Sequence, residues 1–205
     1  MSERIPVIGV SGGSGAGKST FVQEWMRRQS LRATLVSQDA YYRCLDHLSL
    51  DQRSAVNFDH PDALEASLLA DNLAGLIAGG TIDEPIYDFA HHTRAGYRKR
   101  KAEGLIILEG TLIYALPAIA PLFSYRIFVD APADIRLLRR LKRDMHQRGR
   151  TFAYSAEQYL RTVRPMHLQF IEPHRERADL VLDGAQPVEQ MVDAASRSVP
   201  AEVLC

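Results

Sequence analysis

The run Gly12-Gly13-Ser14-Gly15-Ala16-Gly17-Lys18-Ser19-Thr20 carries the spacing G-x-x-x-x-G-K-[ST]. Glycines let backbone N–H groups turn toward a phosphate chain, and a helix starting near Lys18 adds the partial positive charge of its N-terminus. In that arrangement Lys18 reaches the β and γ phosphates of a nucleoside triphosphate, and Ser19 offers its hydroxyl to Mg²⁺. Three acidic residues close short apolar runs: Asp39 after 34–38, Glu109 after 105–108 and Asp130 after 126–129. Glu109 is the kind of strand-end carboxylate that holds or orients Mg²⁺ in such sites, and Asp39 is placed to accept a proton from an attacking hydroxyl. Asp130, followed by Ala131-Pro132, reads better as a capping residue. Arg136, Arg140 and Arg143 recur at spacings of three or four, hence on one helix face, with only Asp134 and Asp144 at hand to pair with them. That surplus calls for an anion, and Arg148-Gly149-Arg150 extends it into a glycine-hinged loop suited to closing over a triphosphate. A solvated basic face is the simpler alternative.

These residues need a scaffold that brings them together. Apolar runs at 5–10, 33–37, 105–108, 125–129 and 180–182 have strand length, and helical patterns at 18–29, 62–78, 133–147, 155–171 and 188–198 separate them. The alternation argues for an α/β chain with a parallel sheet and helices on both faces, whose ligands sit beyond the carboxyl ends of the strands. Pro61-Asp62 opens one helix, Gly79-Gly80 closes it, and Glu172-Pro173 stops another. The stretch 81–103 breaks the rhythm with Pro85, aromatic residues and a basic cluster; it reads as an antiparallel excursion or loop.

At 205 residues, with 46% hydrophobic content and formal net charge +0, the chain fits one domain, 1–205, and has no global field to attract nucleic acid or membrane. The longest apolar tract, 112–121, is too short to span a bilayer and contains Pro117 and Pro121. Met1-Ser2-Glu3-Arg4 leads straight into the first strand without an apolar leader, so a cytoplasmic protein is expected. Cys44 and Cys205 show no metal or redox spacing.

A phosphate cradle is shared by switch GTPases, ATPase motors and small-molecule kinases. Switches carry D-x-x-G and N-K-x-D elements, and no stretch here reads as either. The chain resembles the uridine kinases (uridine-cytidine kinases), in particular the compact bacterial form, within a wider group that includes phosphoribulokinases and pantothenate kinases. The resemblance runs from about residue 5 to about 184. It rests on Gly9-Val10-Ser11 before the phosphate loop, Gln38-Asp39-Ala40-Tyr41-Tyr42, Asn57-Phe58-Asp59-His60-Pro61-Asp62-Ala63, Pro85-Ile86-Tyr87-Asp88-Phe89-Ala90-His91-His92-Thr93-Arg94, Ile107-Leu108-Glu109-Gly110, Arg139-Arg140-Leu141-Lys142-Arg143-Asp144 and Arg148-Gly149-Arg150. The tail 162–173 also looks like the bacterial enzymes, whereas Met145-His146-Gln147 replaces a stretch that is commonly more acidic.

The resemblance implies a P-loop NTPase-type doubly wound sheet, with a small antiparallel nucleoside-binding excursion at 81–103 and a helical lid at 144–158. It implies transfer of the γ-phosphoryl group of ATP or GTP to the 5′-hydroxyl of uridine and cytidine, with Mg²⁺, in pyrimidine salvage, by a homotetramer. Residues 12–20 would bind the triphosphate, Asp39 would be the general base, and Ser19, Asp39 and Glu109 would surround the metal. Tyr42, Phe58, Tyr87 and His92 would form the nucleobase pocket, and Asp59 with Arg140 would hold the ribose hydroxyls. Arg150 and Gln158 would complete the nucleoside site, and Arg143 would contact the transferring phosphate. On the residues alone, Phe58 and Tyr87 read equally well as core aromatics and His92 as a surface histidine. The implied chemistry is coherent: aromatic faces suit a flat pyrimidine, and two carboxylate oxygens can bridge vicinal hydroxyls, favouring ribonucleosides. A sugar-phosphate or pantothenate acceptor is the alternative within the kinases.

Overall fold

Val7–Gly12 forms β1, and all six of its residues are buried, as a strand covered on both faces requires. A computed structural model describes residues 4–204; Met1, Ser2 and Glu3, on which the expected start without an apolar leader rests, and the terminal Cys205 lie outside the described residues. After β1 come α1 (Lys18–Arg28), β2 (Ala33–Ser37), a tight turn at Gln38–Tyr41, the short α2 (Leu50–Ser54) and α3 (Ala66–Ile77). A hairpin of β3 (Thr81–Asp88) and β4 (Thr93–Lys101) leads to β5 (Leu105–Glu109), β6 (Tyr125–Asp130) and α4 (Ala133–Gln147). The chain continues through α5 (Phe152–Gln158), α6 (Arg164–Met166), β7 (Leu180–Asp183), α7 (Val188–Ser198) and α8 (Ala201–Leu204).

The five-stranded sheet has the order β2-β5-β1-β6-β7, every pair parallel. Its register sets Ser37 beside Glu109 and Val10 on the other side of Glu109, so the ends of β2, β5 and β1 meet at one edge. One face buries Leu69, Leu73 and Leu76 of α3 against Val36, Ile106 and Leu108. The other buries Phe21, Val22 and Trp25 of α1 and Val192 of α7 against Ile8, Ile107 and Ile127. There Phe21 and Trp25 stack with ring centroids 5.5 Å apart. The doubly wound α/β expectation is therefore met.

The expected excursion at 81–103 is the β3–β4 hairpin, paired from Thr81 with Lys101 to Asp88 with Thr93, with a shift of register at Ile86/Tyr87. Glu84 is buried within it and takes Arg98 Nε at 2.6 Å and Arg100 Nη1 at 3.0 Å. Arg100 also donates to the Leu35 carbonyl of β2, tying the hairpin to the sheet.

Three expected elements move by two or more residues. The first strand runs 7–12, not 5–10. The helix expected at 62–78 starts at 66, because Pro61–Ala63 makes a tight turn in which Asp62 N donates to His60 Nδ1, and Leu64 bridges to Tyr42. The helix expected at 155–171 starts at 152, where Thr151 caps Tyr154 N, and then widens into π-type turns at Tyr159–Val163 and His167–Ile171. Ser155, Tyr159, Val163, His167 and Ile171 are all buried, a strict spacing of four. An α-helix rotates a four-residue repeat by about 40° per step, so one buried stripe of this length needs a wider helix.

Candidate active site

The phosphate loop is moulded against α4. Gly15 has φ +83°, and a Cβ there would stand 2.3 Å from the Arg136 carbonyl oxygen, so only glycine allows the contact. Lys18 Nζ donates to the carbonyls of Gly12 and Gly13 at 2.9 and 3.0 Å. Burial pushes its ammonium down to about 8, against the pull of the Glu109 and Asp39 carboxylates. Ser19 Oγ donates to Glu109 Oε1 at 2.9 Å, while Glu109 Oε2 is buried with no hydrogen-bond partner. Asp39 sits in the turn after β2, where its backbone N–H donates to Ser37 Oγ. Burial raises both carboxyls, with Lys18 opposing the rise.

The donor set fits Mg²⁺. A hydroxyl and two carboxylates, one of them with an unsatisfied buried oxygen, beside a phosphate cradle suit an ion that keeps waters and takes its other ligands from phosphates. Among the described residues no group of three or more His, Cys, Asp or Glu could hold a metal by itself.

One cavity of about 1080 Å³ joins these groups to an aromatic wall. Tyr42 packs edge-on against Phe58 and tilted against Tyr87, both at 5.3 Å between centroids, and Phe58 stacks on His92 at 4.8 Å. His92 has φ +51°, held by a turn in which the Asp88 carboxylate accepts from the N–H groups of Ala90 and His91. Burial, helped by Arg150, lowers the His92 imidazole. Tyr87 is buried, its hydroxyl pushed up to about 12 by burial and left without a partner. Asp59 accepts a hydrogen bond from Thr162 Oγ1 at 2.9 Å. Gln158 Oε1 accepts from Arg140 Nη2 and Arg150 Nη1 at 2.9 and 3.2 Å.

Seventeen of the expected site residues therefore share one cavity: Ser14, Gly15, Gly17, Lys18, Ser19 and Thr20; Asp39, Tyr42, Phe58, Asp59, Tyr87 and His92; Glu109, Arg140, Arg143, Arg150 and Gln158. Gly12, Gly13 and Ala16 are not on its wall. Gly12 ends β1, Ala16 is fully buried, and Gly13 faces the Arg136 guanidinium, so these three shape the loop from behind. Arg136 shares the face of α4 that carries Arg140 and Arg143, but it lies under the loop rather than on the cavity wall, its Nε donating to the Ala131 carbonyl. Asp130 is no cap; it pairs with Arg175 at 2.9 Å. Sequence reasoning missed Thr162, Phe89 and the role of Asp144, which is fully buried among arginines. Thr162 follows Gln158 by four residues, and that spacing was the available signal.

A family model described as the phosphoribulokinase/uridine kinase family matches residues 7–190. Proteins named uridine kinase from Chloroflexus aggregans and Alkaliphilus metalliredigens are 43% and 42% identical over 180 and 179 residues. The alignments cover 87% of this chain and 86% of the first protein, and 85% of each chain for the second. Among solved structures, a phosphoribulokinase from Rhodobacter spheroides has a TM-score of 0.64 at 20% identity, covering 91% of this chain and 75% of that one. A D-glycerate 3-kinase from Cryptococcus neoformans has a TM-score of 0.65 at 15% identity, covering 90% and 88%. These two structures speak to the fold alone.

Proposed function

The chain belongs to the phosphoribulokinase/uridine kinase family, and from that premise we propose that it is a uridine kinase, transferring the γ-phosphoryl group of ATP to the 5′-hydroxyl of uridine and cytidine. The observation that carries this reading is the single cavity in which Lys18, Asp39 and Glu109 meet the aromatic wall of Tyr42, Phe58, Tyr87 and His92. A pyrimidine lies against those rings, and the unpartnered Tyr87 hydroxyl bonds its polar edge. Asp59 receives a ribose hydroxyl on the oxygen that Thr162 leaves free, beside Arg140, Arg150 and Gln158.

Asp39 takes the proton from the 5′-hydroxyl, a contribution typically worth about 10²- to 10⁴-fold in rate. Ser14, Gly15, Gly17, Lys18, Ser19 and Thr20 hold the triphosphate, and Lys18 and Arg143 face the charge on the transferring phosphoryl group. Ser19, Asp39 and Glu109 would hold Mg²⁺, which would supply neutralisation of phosphate charge. GTP is proposed as an alternative donor, and a cytoplasmic homotetramer as the working form, both on family resemblance.

A panel of nucleosides with radiolabelled ATP and GTP tests the reading. The expected products are UMP and CMP, with ribulose 5-phosphate, pantothenate and glycerate left unphosphorylated. Nucleotide hydrolysis that runs equally fast without nucleoside, or preferential labelling of one of those other acceptors, overturns it.

A further inference from the structure

Asp144 has none of its surface exposed, yet it lies among four guanidinium groups. Its two oxygens divide them. Oδ2 has Arg140 Nε at 3.5 Å and Arg150 Nη1 at 3.9 Å; Oδ1 has Arg143 Nη2 at 3.3 Å and Arg148 Nη1 at 3.5 Å. The Oδ2 pair belongs to the nucleoside side, because both arginines donate to Gln158. The Oδ1 pair belongs to the triphosphate side: Arg143 Nη2 also reaches Ser14 Oγ of the phosphate loop at 3.4 Å, and Arg148 lines the cavity from the glycine-hinged loop. Arg140 Nη1 reaches Ser14 Oγ as well, at 3.0 Å, so the two sides abut.

All four contacts are longer than the roughly 2.7–2.9 Å of a tight charge-assisted hydrogen bond. One carboxylate cannot neutralise four cations, so they repel one another, most at the buried Arg140 and less at the partly exposed Arg143, Arg148 and Arg150. An anion that engages Arg143 and Arg148 takes over their pairing with Oδ1, and the carboxylate charge is then left to Arg140 and Arg150 on Oδ2, which it holds in place. We propose that Asp144 is a positioning residue that couples the two substrates, so that triphosphate binding on one carboxylate oxygen prepares the nucleoside site on the other. The proposal rests on the nucleoside-kinase reading and adds to it a residue that touches neither substrate.

The test measures uridine affinity calorimetrically on the whole protein, with and without a saturating non-hydrolysable ATP analogue and Mg²⁺. The unaltered protein is expected to bind uridine about 5- to 150-fold more tightly with the analogue, the usual range of coupling between sites. Asp144→Asn, shown folded by circular dichroism and still saturable by the analogue, is expected to bring that ratio to within about twofold of one. A folded Asp144→Asn that keeps the full ratio, or an unaltered protein with no ratio at all, overturns the proposal.

If Asp144→Asn does not fold, Arg148→Gln decides. Its side chain is 39% exposed, and at saturating analogue the substitution is expected to lower the ratio. An unchanged ratio overturns the proposal. Failure of uridine to bind the unaltered protein under either condition overturns the nucleoside-kinase reading instead.

Discussion

Lys18 shows how burial sets a residue's behaviour. In the folded chain its ammonium gives up a proton near pH 8 rather than 10.5. Between those values the unfolded chain holds the proton more firmly, so stability rises with pH through that window. Phosphate oxygens reverse the preference by favouring the ammonium form. Triphosphate affinity should therefore fall as pH rises past about 8, and binding should take up a proton. Calorimetry at about pH 8.5 in two buffers of different ionisation enthalpy reads that uptake, and its absence would remove Lys18 from the phosphates. Asp39 is shifted upward by burial, so the acid limb of kcat/KM should lie above the ordinary carboxylate value of about 3.9, activity being lost as pH falls through the raised value. Asp39→Asn should lower kcat by about 10²- to 10⁴-fold while analogue binding persists; near-normal turnover would take the base role from Asp39. Because Asp59 Oδ2 is engaged by Thr162, deoxyuridine leaves the other oxygen unpaired. It should be about 10- to 150-fold poorer in kcat/KM than uridine, the cost of a hydrogen bond to a charged group, and Asp59→Asn should narrow the gap.

Two glycines separate conformation from contact at the level of elements. Gly15 combines φ +83° with the closest approach of α4, whereas Gly149 has φ +63° and open space where a side chain would go. Alanine at either position meets a backbone penalty of about 1–2 kcal/mol. Only Gly15→Ala also drives a side chain into the Arg136 carbonyl. Gly15→Ala should thus abolish measurable triphosphate binding, while Gly149→Ala should keep it and lower only kcat, by a few fold at most; equal effects would mean that α4 does not mould the loop. The loop, the strand-end carboxylates and the Arg148-Gly149-Arg150 turn were legible in the sequence, because each depends on residues adjacent in the chain. The wide turns at Tyr159–Val163 and His167–Ile171 were not, since polar Ser155 and His167 interrupt the apolar pattern that would have revealed the stripe. Thr162 could be reached only through its spacing from Gln158, since its partner Asp59 lies 103 residues away. Spacing placed Arg136 on the right face of α4 but not behind the loop, because it says nothing of a loop pressed over one end of the helix.

Across the whole molecule, a formal net charge of zero coexists with a cavity whose walls carry Lys18, Arg139, Arg140, Arg143, Arg148 and Arg150. Attraction for a triphosphate is accordingly local, and association should depend only modestly on ionic strength compared with a strongly basic protein. No helix among the described residues is long and apolar enough to cross a membrane. The sheet divides the hydrophobic interior in two: α3 lies on one side, and α1 and α7 on the other. The single tryptophan, Trp25, lies wholly on the second side, in the helix that begins at Lys18. Its emission is thus a native optical gauge of one half of the interior. Urea titrations followed by that emission and by far-ultraviolet dichroism should superimpose if the two halves melt together, and should diverge if the hairpin side loosens first.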